Sequence, residues 1–127
     1  MFNSNPNFFQ MQESQNIEFK REWKDEYLKV VCAFANTYGG ILYIGLNNDG
    51  SIFGVASPSR LLEEIPNKTR DLLGVTITLE LKDHNKSQFL ALKTPPYSVP
   101  ISLRGRYYCR SGSTTLELTG NTLNEFL

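Results

Sequence analysis

The fold is decided by residues 13–54, which read ESQNIEFKREWKDEYLKVVCAFANTYGGILYIGLNNDGSIFG. Apolar and charged side chains alternate over residues 16–20, and this period of two predicts a half-buried strand. Apolar residues at helical spacing over residues 25–36 predict a helix that is buried on most sides. The continuous apolar run at residues 41–44 predicts a strand that is covered on both faces.

Short polar segments end the helix and the second strand. Asn36 and the Gly39-Gly40 pair favour the left-handed conformation that ends a helix, so the helix should stop there. Residues 47–50 read Asn-Asn-Asp-Gly, and Asp-Gly is a strong signal for a hairpin turn. Residues 51–55 are therefore expected to return as a short strand.

The remainder of the chain predicts one more helical region and several strands. A helix should begin near residue 57 and end at Gly74, and Pro66 should divide it in two because proline removes a backbone donor. Strands are predicted at residues 75–81, 87–93, 101–103 and 107–110, and the last two should form a hairpin around Arg104-Gly105-Arg106. Polar loops are predicted at residues 82–86, 94–100 and 111–115.

This order of elements predicts an α+β domain with a mixed, largely antiparallel sheet and two main helices. The 127 residues suffice for one domain with a hydrophobic core. Residues 1–12 are expected to form a flexible N-terminal arm, either frayed or packed on a neighbouring subunit, and residues 13–118 the domain. Residues 119–127 are expected to begin a helix that leads into a further domain.

Composition excludes several classes of protein. The hydrophobic content of 40% and charged content of 20% are ordinary for a globular protein, and no apolar run approaches the ~20 residues of a membrane span. The N-terminus lacks the basic start and apolar core of a signal peptide, so a cytoplasmic location is expected. Two distant cysteines and one histidine provide no zinc-binding pattern.

The net charge is zero, which argues against a strongly basic nucleic-acid clamp. The charges are nevertheless unevenly distributed, because residues 13–26 are rich in acids and residues 82–112 in lysine and arginine. Since cationic side chains contact phosphates and tyrosines stack on bases, the candidate nucleic-acid contacts are Lys20, Arg21, Arg104, Arg106, Arg110 and Tyr108. The alternative is that these charges only keep an edge hairpin soluble.

The spaced motifs of the chain resemble those of the Schlafen-type AlbA-like domain. Residues 13–14 and 17–20 are similar to its ES…EFK opening. Residues 33–54 are similar to its AFAN-x-x-GG…IG…DG…G core, and residues 108–113 to its closing Y-x-R-x-G-S. The matches cover residues 13–113, which is nearly the whole chain.

The resemblance implies a nucleic-acid-binding domain of the kind that heads bacterial transcriptional regulators and is followed by further domains. Schlafen relatives with RNase activity use three acidic residues, and the resemblance places two of them at Glu13 and Glu18. The third lies just after the second strand, where this sequence has Asn47 and Asn48 and a displaced Asp49.

Three functions therefore stay open. The first is a DNA- or RNA-binding domain of a transcriptional regulator, with its own downstream domains and a second copy of the chain as further partners. The second is a nuclease in which Glu13 and Glu18 hold Mg²⁺ or Mn²⁺ and Asp49 assists, because such cations prefer carboxylate oxygens. The third is a self-association module that forms a homodimer.

Overall fold

A computed structural model describes residues 12–127 of the chain. The predicted N-terminal arm, apart from Gln12, lies outside these residues. The strands are β1 Ile17–Lys20, β2 Gly40–Ile44, β3 Thr78–His84, β4 Ser87–Thr94, β5 Ser102–Leu103, β6 Arg106–Ser111 and β7 Thr114–Leu118. The helices are α1 Leu28–Asn36, α2 Pro58–Leu73 and α3 Gly120–Phe126, and a 3-10 helical turn, Asp25–Tyr27, precedes α1.

The strands form two sheets, and the predicted α+β class is confirmed. A four-stranded sheet has the order β1-β2-β4-β3, in which β1 and β2 are parallel and the other pairs are antiparallel. The parallel pair arises because α1 connects the two strands, as a crossover must. A three-stranded antiparallel sheet has the order β5-β6-β7. The sequence predicts one sheet, so the division into two is a finding of the structure.

Helix α1 is the centre of the hydrophobic core. Seven of its nine residues are buried, as the apolar pattern of the sequence predicts. The helix packs against both sheets, and the core cluster joins Val31 and Phe34 to Leu42 of β2 and Leu103 of β5. Both sheets are therefore positioned by the same helix.

The Gly39-Gly40 pair turns the chain from α1 into β2. Gly39 has a φ of +75°, and its N–H donates to the Phe34 carbonyl over 2.8 Å. A Cβ atom on Gly40 would lie 2.6 Å from the Phe34 ring, so only glycine permits this approach of strand and helix. The predicted helix end is confirmed.

The predicted strand at residues 51–55 is wrong. Only one bridge forms, between Leu46 and Ile52. The N–H groups of Phe53 and Gly54 then both donate to the Gly45 carbonyl, over 2.7 and 3.0 Å. Because two donors converge on one acceptor, the regular ladder of a strand cannot continue beyond this point.

The predicted break at Pro66 is also wrong, because α2 is one helix of 16 residues. Its buried side chains recur every fourth residue, at Leu61, Ile65, Thr69 and Leu73. Burial of this stripe offsets the hydrogen bond that proline removes, so tertiary packing overrides the local preference.

Two strand boundaries differ from the prediction. Strand β3 extends to His84, and Asn85 and Lys86 alone form the turn, with φ values of +50° and +66° that fit a tight two-residue hairpin. Strand β7 begins at Thr114, inside the polar loop that the sequence predicts at residues 111–115. Its residues are mostly exposed and pair with β6 through the backbone, and the alternation of Leu116, Glu117 and Leu118 is too short to predict a strand.

Asn36 fastens α1 to the three-stranded sheet. Its side-chain nitrogen donates to the carbonyls of Ile101 and Tyr108 over 2.8 and 2.9 Å, and its side-chain oxygen accepts from the Ile101 N–H over 2.7 Å. This residue therefore satisfies three backbone groups that lie 65 or 72 positions away along the chain.

We expect Asn36→Ala to lower the free energy of unfolding by about 2–4 kcal/mol, because backbone groups beside a buried helix lose their partners. Denaturant unfolding measures this change. The control is Asn67→Ala, which removes an exposed asparagine from α2 and should change stability by less than about 0.5 kcal/mol. Equal effects of the two substitutions would contradict the bridging role.

Candidate functional site

Arg110 of β6 is enclosed within the protein and cannot reach a nucleic acid, so its prediction as a phosphate contact is wrong. Its side chain is 0% exposed, and its Nη1 lies 2.7 Å from Oε1 of Glu18 on β1. Its guanidinium carbon lies 4.9 Å from the centre of the Phe34 ring. Burial of an arginine requires a paired charge and hydrogen-bond acceptors, and both are present.

The five N–H groups of the Arg110 guanidinium have five acceptors. Besides Glu18 they reach Thr115 Oγ1 at 3.1 Å, the carbonyl of Gln15 at 3.0 Å, the carbonyl of Ile17 at 3.4 Å and the carbonyl of Ser14. Since a guanidinium has five N–H donors, every donor of Arg110 has an acceptor. The side chain thus joins the three-stranded sheet to the strand and loop at the edge of the four-stranded sheet.

Glu13 and Glu18 lie close together, as the resemblance implies. Glu18 is buried, and its Oε2 lies 3.5 Å from Lys20 Nζ. Glu13 Oε2 accepts a hydrogen bond of 2.8 Å from the Phe19 N–H on the outer edge of β1. Burial raises the pKa of Glu13 above its usual 4.5, the Phe19 N–H acts against this rise, and the neighbouring Glu18 carboxylate adds to it.

Asp49 is exposed in the turn after β2. Its Oδ1 accepts from the N–H and the hydroxyl of Ser51, over 2.9 and 2.6 Å, and these bonds lower the pKa of Asp49. Across residues 12–127 no three His, Cys, Asp or Glu side chains are grouped as metal ligands. Because both oxygens of Glu18 also face cations, this donor set does not fit Mg²⁺ or Mn²⁺.

Two predicted cations border a first cleft of about 330 Å³, which is lined by Phe19, Lys20, Arg21, Glu22, Tyr27, Asn48 and Phe53. The Lys20 Nζ lies 4.7 Å from the centre of the Tyr27 ring, and the Arg21 guanidinium lies 4.5 Å from that of Phe53. Arg21 is exposed, whereas Lys20 is half-buried. Both cations are therefore held beside aromatic rings at the surface.

Two more predicted cations border a second cleft of about 530 Å³, which is lined by Asp25, Glu26, Lys29, Leu103, Arg104, Arg106, Tyr108 and Glu117. Arg104 and Gly105 form the tight turn between β5 and β6, Arg106 is the first residue of β6, and both arginines are exposed. Arg106 pairs with Glu117 over 3.0 Å. Tyr108 is 7% exposed, so it forms part of the cleft wall and is too enclosed to stack on a base.

The structure thus separates the predicted contacts into two groups. Lys20, Arg21, Arg104 and Arg106 lie at the surface, whereas Arg110 and Tyr108 are buried. Lys29 and Phe53 line the clefts but are not among the residues predicted from the sequence. Lys29 is the polar residue among apolar neighbours in α1, and this interruption is the signal in the sequence that marks it.

Comparisons with known proteins support the resemblance to a known family. The family described as Schlafen, AlbA_2 matches residues 13–119. The chain belongs to this family. Among curated proteins, no match was found.

Solved structures share the fold of this AlbA_2 domain. The DIP2311 protein from Corynebacterium diphtheriae has 20% sequence identity and a TM-score of 0.71, and the match covers 91% of this chain. The chain spans 24% of the DIP2311 protein. The N-terminal domain of a RecG-related protein from Nitrosomonas europaea has 22% identity and a TM-score of 0.60, with 87% of this chain and 88% of that domain covered.

The motifs of the AlbA_2 domain serve its architecture at several positions. Glu18 of the opening motif and Arg110 of the closing motif form one buried ion pair, and Asn36 of the central motif bridges to β6 and its neighbours. None of the helices in residues 12–127 has the length and hydrophobicity that a bilayer-spanning segment needs. The cytoplasmic location stays a prediction.

We expect Arg110→Lys to lower the free energy of unfolding by about 2–4 kcal/mol, because lysine keeps the charge but lacks the donors for the Ser14, Gln15 and Ile17 carbonyls. Arg106→Lys is the control. Since Arg106 is exposed, this substitution should change the free energy of unfolding by less than about 0.5 kcal/mol. Denaturant unfolding compares the two. A small effect at Arg110 would refute its role as a link between the sheets.

We expect Glu13→Gln to raise Tm at pH 7, and the gain to shrink as the pH falls through the raised pKa of Glu13 and to be lost below 4.5. The folded-state pKa of Glu13 lies above its unfolded value, so its ionised form costs stability at neutral pH, and this cost vanishes on protonation. Glutamine retains an acceptor for the Phe19 N–H. Thermal unfolding at pH 7 and pH 4 tests this, with Glu22→Gln as the exposed control.

A loss of Tm at pH 7, or a gain that is equal at both pH values, would contradict the charge effect assigned to Glu13.

Proposed function

We propose that this AlbA_2 domain binds the phosphate backbone of nucleic acids through a cationic surface, which we define as Lys20, Arg21, Lys29, Arg104 and Arg106. One observation carries the proposal: these exposed or half-exposed cations border two neighbouring clefts. Phosphate contacts of this kind position a nucleic acid without reading its sequence.

The two clefts are adjacent because one helical turn separates them. Tyr27 lines the first cleft, and Asp25 and Glu26 of the same turn line the second. Arg104 and Lys29 also line the second cleft, on the side of α1. A strand of nucleic acid that crosses this turn would therefore meet cations from both clefts.

The acids near the cationic surface weaken its potential only in part. Asp25 is paired with Lys68 at 2.8 Å, and this hydrogen bond is the main reason that the pKa of Asp25 is lowered. Glu117 is paired with Arg106. Since the net charge is zero, we expect binding to be weak at physiological salt and strongly dependent on ionic strength.

The name of the RecG-related protein refers to ATP-dependent DNA helicases, which supports nucleic acid as the ligand class of this fold. A role as the DNA-binding part of a transcriptional regulator, with downstream domains in the same protein, is the finer form of the proposal. The paired cations Arg60 and Arg70 of α2, Lys82 of β3 and Lys93 of β4 line neither cleft and are not part of the surface.

The other two hypotheses have less support. A nuclease that uses Glu13, Glu18 and Asp49 would need these carboxylates to converge on a cation, whereas Arg110 and Ser51 occupy two of them. Homodimer formation stays a prediction. The outer edge of β1 is covered by the Glu13 side chain, and this edge is therefore a poor site for strand pairing.

We expect the double substitution Arg104→Ala and Arg106→Ala to weaken binding to any oligonucleotide by about fivefold or more at low salt, because two phosphate contacts are lost. The slope of log Kd against log salt should fall by about two. Fluorescence anisotropy measures both quantities. Arg70→Ala is the control, because the Arg70 and Arg106 side chains are each 65% exposed and each paired with an acid.

Unchanged affinity in the double variant, or an equal loss in Arg70→Ala, would remove the second cleft from the proposed surface.

A further inference from the structure

We infer that the first cleft is a stacking site for a base of single-stranded nucleic acid, with Phe53 as the platform. This inference rests on the proposed function and specifies its ligand. Of the phenylalanines in residues 12–127, only Phe53 is exposed, and its exposed fraction is 55%. Proteins that bind single strands place exposed aromatic rings where bases stack.

The Phe53 ring is presented from a fixed backbone. The Phe53 N–H donates to the Gly45 carbonyl over 2.7 Å, at the end of buried strand β2. Ile52, directly before it, forms the bridge with Leu46, which is itself fully buried. Little conformational freedom is therefore lost at the backbone when a ligand stacks on this ring.

Arg21 completes the platform. Its guanidinium lies over the Phe53 ring at 4.5 Å, so a planar cation and an aromatic ring are already paired at the surface. Lys20 is held over the ring of Tyr27, which lines the same cleft, at 4.7 Å. Each cation thus lies next to an aromatic ring. A single strand offers a phosphate for the cation and a base for the ring at each nucleotide.

The arrangement favours a single strand over a duplex. In a duplex the faces of the bases are covered by their neighbours, whereas unstacked bases in a single strand can lie on an aromatic side chain. Asn48, exposed in the same lining, offers an amide that donates to and accepts from a base edge. Because every base has an aromatic face, little sequence preference is expected.

The two clefts then contact different parts of a nucleic acid. Arg104 and Arg106 in the second cleft contact phosphates, which single strands and duplexes both offer. Phe53 contacts a base face, which only the single strand offers. A substitution in the first cleft should therefore change the ratio of the affinity for the single strand to the affinity for the duplex. A substitution in the second cleft should lower both affinities together.

The test is fluorescence anisotropy with a labelled DNA strand of about 12 nucleotides and with its duplex. We expect Phe53→Leu to weaken single-strand binding by about fivefold or more and to leave duplex binding within about twofold. Phe53→Tyr keeps the ring and should retain the affinity. Tyr38→Leu is the control, because Tyr38 is 76% exposed but lines a separate cleft with Gly39 and Pro96.

Phe53→Trp gives a direct second readout. A base that stacks on the new indole should quench its fluorescence when the single strand is added, and the duplex should not, after subtraction of the Trp23 signal measured in the unsubstituted domain. This result does not depend on whether Phe53→Leu folds well. Absence of quenching in a Phe53→Trp variant that binds the single strand would overturn the inference.

Equal losses on single strand and duplex in Phe53→Leu, or no loss on either, would also overturn it while the proposed function stands. A native domain that binds neither oligonucleotide at low salt would refute the proposed function itself. The two failures are therefore distinguishable.

Discussion

The buried ion pair between Glu18 and Arg110 links the two sheets that pack on helix α1. It joins β1, at the edge of the four-stranded sheet, to β6, at the centre of the three-stranded sheet, across 92 positions of sequence. A buried pair is stable only when its remaining donors are satisfied, and the loop at residues 14–17 supplies carbonyls for them. The loop before β1 is therefore shaped by an arginine near the end of the domain.

This link explains why residues that resemble a functional motif act here as structural ones. Glu18 and Arg110 face each other in the interior, and Asn36 fastens α1 to the same sheet from another side. The members of the cationic surface come from the end of β1, from α1 and from the β5–β6 hairpin, and they line the two clefts that share the turn Asp25–Tyr27. The buried pair links the two sheets, and the cationic surface lies outside them, where it can contact a nucleic acid.

Sequence patterns predict those parts of the fold that depend on neighbouring residues. Strands β1 and β2 and helix α1 follow from apolar periodicity and the glycine pair. The patterns do not predict the continuous helix through Pro66, because the buried stripe of α2 forms only against the rest of the domain. The burial of Arg110 could not be predicted from the sequence either, since a charged residue is normally exposed and its partner lies in a distant segment. The exposure of Arg104 and Arg106 was predictable, because one lies in the turn of a hairpin and the other directly after it, and such turns are exposed in almost any context.

Arg110 links the two sheets in the interior, and we propose that the cationic surface binds nucleic acid. An NMR titration of the ¹⁵N-labelled domain with an oligonucleotide tests both halves at once. The account predicts that amide signals of residues 20–29 and 103–106 shift, while the Nε–H signal of Arg110 stays in place and exchanges slowly with water. A shift of the Arg110 Nε–H signal with saturation of binding, together with unchanged signals at residues 20–29 and 103–106, would contradict the account.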